Sequence, residues 1–144
     1  MTPGAQERGV TLIELMTVVV VVAILASIAV PSYRSYLIRS QRSDAKTALL
    51  QVQGAEERFY LQANAYTSDV TSPPPTGLGL TAVSTNGFYE IGVQPLDGNQ
   101  SYIATAKPIA GKGQSDDTKC TAFSITDTGV RDATGPGGRD YCWH

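Results

Sequence analysis

The sequence predicts an α+β protein in which one long N-terminal helix, membrane-spanning in its first half and amphipathic in its second, packs on a small antiparallel sheet. Three observations carry this expectation. Leu15 to Tyr33 is an uncharged run of 19 residues, mostly Val, Ile, Leu and Ala, close to the roughly 20 that cross a bilayer core as a helix. Apolar residues then recur at helical spacing as far as Phe59. Beyond a proline-rich break, short segments alternate apolar and polar residues between turn-forming residues.

The apolar run is preceded by a polar leader, residues 1–9, and has an acid, Glu14, at its start. A carboxylate at mid-membrane costs about 2.5 to 3.5 kcal/mol on insertion scales, so it needs a partner or a task. Two ordinary readings compete for this segment. As a secretory signal it would be cut after the small residues Ser27-Ile28-Ala29, but the run is long and Glu7 offsets Arg8 in the leader. As a plain anchor it would place the C-terminal part in the cytoplasm, because Arg34, Arg39, Arg42 and Lys46 follow it. That orientation conflicts with Cys120 and Cys142, which lie in a Thr/Ser/Gly-rich region of exported character where a disulfide is the natural pairing. The cysteines outweigh the flanking charges, since long downstream domains translocate largely regardless of them.

A third reading accounts for the acid. Arg8-Gly9-Val10-Thr11-Leu12-Ile13-Glu14-Leu15 strongly resembles the leader and mature start of type IV pilins. The resemblance implies cleavage between Gly9 and Val10 by a membrane prepilin peptidase and N-methylation of the new terminus at Val10, where family members usually carry Phe. It also implies that Glu14 pairs with the terminal amine of a neighbouring subunit, so that two charges too costly to bury singly become complementary on assembly. The chemistry of the residues agrees: Gly9 suits an extended backbone in a protease cleft, and cutting there removes the leader but keeps the apolar helix.

Residues 10–31 form the transmembrane or filament-core half of the helix, ending at Pro31, which removes a backbone hydrogen bond and crowds the preceding turn. A kink or local melting is expected there. Residues 32–64 form the amphipathic half, with Ala45, Ala48, Leu49, Val52, Ala55 and Phe59 on a core-facing stripe and Arg42, Lys46, Gln53 and Glu57 on other faces. Gly54 weakens this half by up to about 1 kcal/mol.

Residues 65–86 contain Ser72-Pro73-Pro74-Pro75-Thr76-Gly77, which no helix survives, and are expected to form an exposed connecting loop. Residues 87–144 hold the sheet and the cysteine-bounded region. Phe88 to Gln94, with Tyr89, Ile91 and Val93 on one face, turns through Pro95 to Asn99 into Ser101 to Ile109, making a hairpin. Thr121 to Asp127 alternates on Phe123 and Ile125 and ends in a turn at Thr128-Gly129, and a short last strand is expected near Tyr141 to Trp143. The segment between Cys120 and Cys142 is rich in Gly, Asp and Thr, so a bond closing it would contribute about 3 kcal/mol by loop-closure entropy. Its layout resembles the cysteine-bounded region of many type IV pilins.

Composition narrows the function. A net charge of −2 with scattered cations leaves no electrostatic footprint for nucleic acid or anionic lipid, and nucleic acid is disfavoured as the main ligand. One histidine, His144, leaves no Ser/His/Asp or Cys/His arrangement, and no phosphate-binding glycine loop precedes a helix, so no enzyme and no cofactor are expected. Asp116, Asp117, Asp127, Asp132 and Asp140 match no calcium loop, and two cysteines with His144 fall short of a zinc ligand set. The resemblance implies a pilin, major or minor, stored in the bacterial inner membrane as a single-pass precursor and then built into an extracellular filament for adhesion, twitching motility or DNA uptake. Its implied partners are other pilins, the prepilin peptidase, an inner-membrane platform and an assembly ATPase. The alternatives are a pseudopilin of type II secretion and a membrane-anchored adhesin or DNA-binding module.

Overall fold

Apolar and amphipathic stretches alike become one element, α1 (Leu12–Ala63), in the computed structural model, which describes residues 9–144. Residues 1–8, most of the expected leader, lie outside the described residues. The chain divides into two units, Met1–Leu37 and Ile38–His144. In the first, every residue from Gly9 to Leu37 is exposed, and the helix continues through Pro31. The proline leaves the Ser27 carbonyl without its usual i+4 donor. Nearby hydroxyls turn back on the helix: Thr17 Oγ1 donates to the Ile13 carbonyl at 2.8 Å and Ser27 Oγ to that of Ile24 at 2.7 Å. Polar side chains on an apolar helix thereby satisfy themselves without water.

In the second unit, α1 ends where Asn64 adopts φ 53° and its N–H donates to the Tyr60 carbonyl at 2.8 Å. Asn is one of the few residues that enters this left-handed region cheaply, which makes it a helix terminator. The strands are β1 (Tyr89–Leu96), β2 (Ser101–Pro108), β3 (Ala122–Thr126) and β4 (Arg131–Thr134), forming one antiparallel sheet in that order. The β1–β2 register runs from Tyr89↔Pro108 to Leu96↔Ser101. Its turn uses Asp97, Gly98 and Asn99, all at positive φ, the residue types that tolerate it. Pro95 lies within β1, an edge strand, where a missing N–H is tolerated.

The core joins one face of α1 to one face of the sheet. Ala45, Ala48, Leu49, Val52 and Ala55 from the helix cluster with Tyr89, Ile91, Tyr102, Ala104, Ala106, Phe123 and Ile125, which alternate along the strands as the period of two requires. Phe59 and Val93 pack against the edge of this cluster.

Four expectations need correction. Arg42, assigned to an outer face, is buried, as are Asp44 and Glu56 on the same helix, because each meets a polar partner from elsewhere in the unit. The stretch 65–86 is exposed at its prolines but buries Tyr66, Val70, Leu78 and Ser84, so it is packed down rather than merely connecting. A fourth strand, β4, follows the turn at Gly129; its residues Arg-Asp-Ala-Thr show no apolar alternation because no second layer covers an edge that is itself blunted by charge. The last strand expected near Tyr141 to Trp143 is instead a short helix, α2 (Gly138–Trp143), held by the Cys142 disulfide and by Trp143 Nε1–H donating to the Asp132 carbonyl at 2.8 Å.

Candidate functional sites

The N-terminal site begins at Gly9 and Val10, both exposed; nothing crowds Gly9, since a side chain there would meet no atom within 4 Å. Thr11 stands just before the first helical residue, and its Oγ1 accepts the Glu14 N–H at 3.3 Å while its carbonyl accepts that of Leu15. Thr11 is therefore the N-cap and Glu14 the third helical residue, the Thr-x-x-Glu pattern of a capping box. The sequence reading singled out Glu14 for its charge and missed the cap. An acid in the first turn is also favoured by the unpaired N–H groups of the helix start. From Val10 to Val30 the large apolar side chains stay open to the surroundings, from 50% exposed at Val21 to 75% at Leu12. α1 is long and apolar enough to cross a membrane, near its N-terminal end.

The second site lies around the disulfide. Cys120 and Cys142 are bonded, with Cα atoms 5.8 Å apart. Arg42 from α1 donates twice to Asp117, Nε to Oδ2 at 2.7 Å and Nη2 to Oδ1 at 3.0 Å, and both side chains are buried. Asp117 also accepts from Gln114 Nε2 and from the N–H groups of Lys119 and Cys120, each at 3.1 Å. Burial alone would lower the Arg42 pKa, but the bonds and charge of Asp117 more than offset it, so the guanidinium stays charged. The Arg42 side chain then meets Tyr141 of α2, whose phenol is held below its usual range by an Arg42 hydrogen bond and by nearby Lys119 and Arg39. Gly137 makes the approach possible: a Cβ there would lie 2.7 Å from Tyr141 Cδ1 and 2.9 Å from the Lys119 carbonyl oxygen.

Two further acids of α1 pin the segment between helix and sheet. Asp44 accepts from Ser84 Oγ and from both the backbone and side-chain nitrogens of Asn86. Glu56 Oε2 accepts the Thr67 N–H at 3.2 Å, while Oε1 is buried with no partner. Burial pushes the Glu56 carboxyl up to about 7, against the Thr67 bond and with help from the Glu57 charge. Sequence periodicity could have flagged Glu56, four residues after Val52 on the core stripe, but the partners of all three charged residues come from distant positions.

Of the sequence-derived residues, Gly9, Val10, Glu14 and Pro31 fall on the exposed first unit, and Cys120 and Cys142 meet in the second. Among the described residues no three His, Cys, Asp or Glu side chains are grouped to hold a metal, and Asp117 is fully engaged by its donors.

An exposed apolar helical start, continued into a helix-on-sheet unit closed by a disulfide, defines a class by its architecture: one long N-terminal helix carrying a small antiparallel sheet. Residues 31–124 match the family described as type IV minor pilin ComP, DNA uptake sequence receptor, and residues 4–30 match the prokaryotic N-terminal methylation motif. A fimbrial protein of Pseudomonas aeruginosa is 38% identical over 120 residues, 83% of this chain and 77% of that protein. The type IV major pilin PilA of Myxococcus xanthus (strain DK1622) is 43% identical over 61 residues, 42% of this chain and 28% of the relative. The chain spans only 28 to 41% of the length of the first curated relatives it matches. The non-core minor pilin PilV of Neisseria meningitidis shares the fold, with a TM-score of 0.51 over 70% of this chain and 90% of that one at 19% identity. The chain belongs to the type IV pilin family.

Proposed function

We propose that the protein is a structural subunit of a type IV pilus filament, held in the bacterial inner membrane before assembly and displayed outside the cell afterwards. The observation that carries this reading is the uncovered apolar length of α1 from Leu12 to Val30, which the subunit itself leaves exposed. Lipid covers it in the stored state and neighbouring helices in the filament, so assembly exchanges one apolar environment for another. In this reading prepilin peptidase cuts between Gly9 and Val10, and the Val10 amine is methylated. Glu14 meets the amine of a neighbouring subunit and sets axial register, and Pro31 lets the helix unwind locally during transfer. A membrane platform and an assembly ATPase supply the work, and the chain performs no catalysis.

Mass spectrometry of the N-terminus from membranes or sheared filaments tests this directly. A methylated Val10 is expected. A terminus at Val30 would instead indicate ordinary secretion, and an intact Met1 a simple anchor. Whether deletion removes surface filaments or blocks exoprotein release separates a pilus from a type II secretion pseudopilus, and the disulfide-bounded tail favours the pilus.

DNA capture at the filament surface is a second reading, supported by the description of the family that matches residues 31–124. Loss of DNA uptake by cells lacking the subunit, with filaments still present, would distinguish a receptor from a purely structural subunit.

A further inference from the structure

Cations from three separate parts of the sequence gather around the two aromatic rings of α2. The Arg42 guanidinium carbon lies 4.9 Å and the Lys119 ammonium 5.1 Å from the centre of the Tyr141 ring, and the Arg131 guanidinium carbon lies 5.3 Å from that of Trp143. Arg39, three residues before Arg42 on α1, contributes to the positive field at the Tyr141 phenol. The pKa of Lys46, one turn beyond Arg42, is pushed down first by burial and then by the charges of Arg42 and Arg131. Asp117 takes up the Arg42 charge, while Arg39, Lys119 and Arg131 are exposed and the Tyr141 ring is 41% exposed.

We propose that this cationic and aromatic face of the Ile38–His144 unit docks on anionic phospholipid headgroups of the membrane that holds the subunit before assembly. The proposal rests on the reading of the apolar half of α1 as bilayer-spanning. Arg39 follows Tyr33, the last residue of the apolar run, by six residues, about 9 Å along a helix and so within a Debye length of the bilayer surface. Tyr and Trp beside Lys and Arg is the composition of interfacial anchors, because each side chain pairs an apolar body with a polar or charged end. The number of charges also favours lipid over a duplex. Affinity for a duplex grows with the number of phosphates neutralised, and three exposed cations neutralise few. A face tethered by its own helix needs fewer, since the membrane is always at high effective concentration.

Trp143 is the sole tryptophan of the chain and sits on this face, so it serves as reporter. The full-length chain is reconstituted into phosphatidylcholine vesicles carrying a headgroup-attached nitroxide, with or without about one-third phosphatidylglycerol, and flotation records insertion separately. Stronger quenching of Trp143 is expected with phosphatidylglycerol, and it should fade at about 0.5 M salt, where screening shortens the reach of charge. R39Q and K119Q should each lower the ratio of docked to undocked heads about fivefold. Equal quenching in both vesicles by a chain that floats overturns the proposal. A chain that does not float overturns the membrane reading with it. A change in Trp143 emission on adding short duplex DNA, with none from phosphatidylglycerol, assigns the face to nucleic acid and overturns the lipid assignment. The vesicle comparison uses the unmodified chain and stands even if a variant fails to fold.

Discussion

Arg42 and Asp117, 75 residues apart in sequence, form a buried two-point ion pair that joins α1 to the segment entering the disulfide. Because Asp117 also holds the Lys119 and Cys120 N–H groups, one carboxylate positions the helix, the cysteine and, through Arg42, the Tyr141 ring. Asp117→Ala should destabilise the Ile38–His144 unit by about 3 to 5 kcal/mol, the cost of leaving a buried charge unpaired. Denaturation of the detergent-solubilised chain followed by Trp143 emission measures it. A loss below about 1 kcal/mol would mean that Arg42 finds water or another partner.

Glu56 gives the unit a pH dependence of predictable sign. Its folded pKa, about 7, lies above the ordinary 4.5, so its contribution is fully present below pH 4.5 and is lost as the pH rises through 7. Glu56→Gln can still accept the Thr67 N–H and cannot ionise. The variant should match the parent near pH 4.5 and exceed it by about 1 to 3 kcal/mol at pH 8. Urea denaturation at the two pH values checks this, and a parent whose stability does not fall between them would refute it.

Gly137→Ala inserts a methyl group against the Tyr141 ring, the Lys119 carbonyl and Cys142 Sγ, at 2.7, 2.9 and 3.2 Å. A backbone carbonyl cannot move aside as a flexible side chain would. The expected cost is about 1 to 3 kcal/mol. Gly138→Ala is the wrong control because its φ is positive, whereas Thr128→Ala in the exposed turn between β3 and β4 should cost under about 1 kcal/mol in the same measurement.

Replacing Cys120 and Cys142 together by Ser should lower stability by about 3 kcal/mol, since the bond closes a loop with a sequence separation of 22. Thermal denaturation with and without reductant measures the same quantity on the parent chain. Agreement between the two would show that the bond, and not the serines, is responsible.

Glu14→Ala should leave insertion unchanged and impair incorporation into filaments, because the carboxylate is proposed to matter only where a second subunit brings a positive terminus. Quantifying the subunit in membranes and in sheared filaments separates the two steps. Thr11→Ala removes the cap but not the charge, at a cost of about 1 kcal/mol to the helix start, and should assemble better than the Glu14 variant. Normal filament yield from Glu14→Ala would remove the pairing role.

The local pattern was legible wherever a residue type acts through its immediate neighbours. The apolar run, the core stripe from Ala45 to Ala55, the positive-φ turn at Asp97 to Asn99 and the alternation of β1 to β3 all follow from periods and propensities that a few consecutive residues set. Arg42 was misplaced because a charged residue is normally exposed unless paired, and its pair is remote. Strand β4 was not legible because an exposed edge strand needs no apolar alternation, and α2 because six residues carry too little helical signal against aromatic residues that also suit strands.

What the sequence by itself determined is the local order: a polar stretch up to Gly9, an acid at Glu14, an uncharged span to Tyr33, and two cysteines near the C-terminal end. Covalent order and side-chain hydrophobicity suffice for that. Only the tertiary structure decided which charges are spent inside and which face out. Arg42 and Lys119, separated by most of the second unit in sequence, meet at the Tyr141 ring because sheet packing and the disulfide bring the tail back onto α1. Electrostatic interaction depends on distance in space, so cations scattered along the chain became one face only when the chain folded.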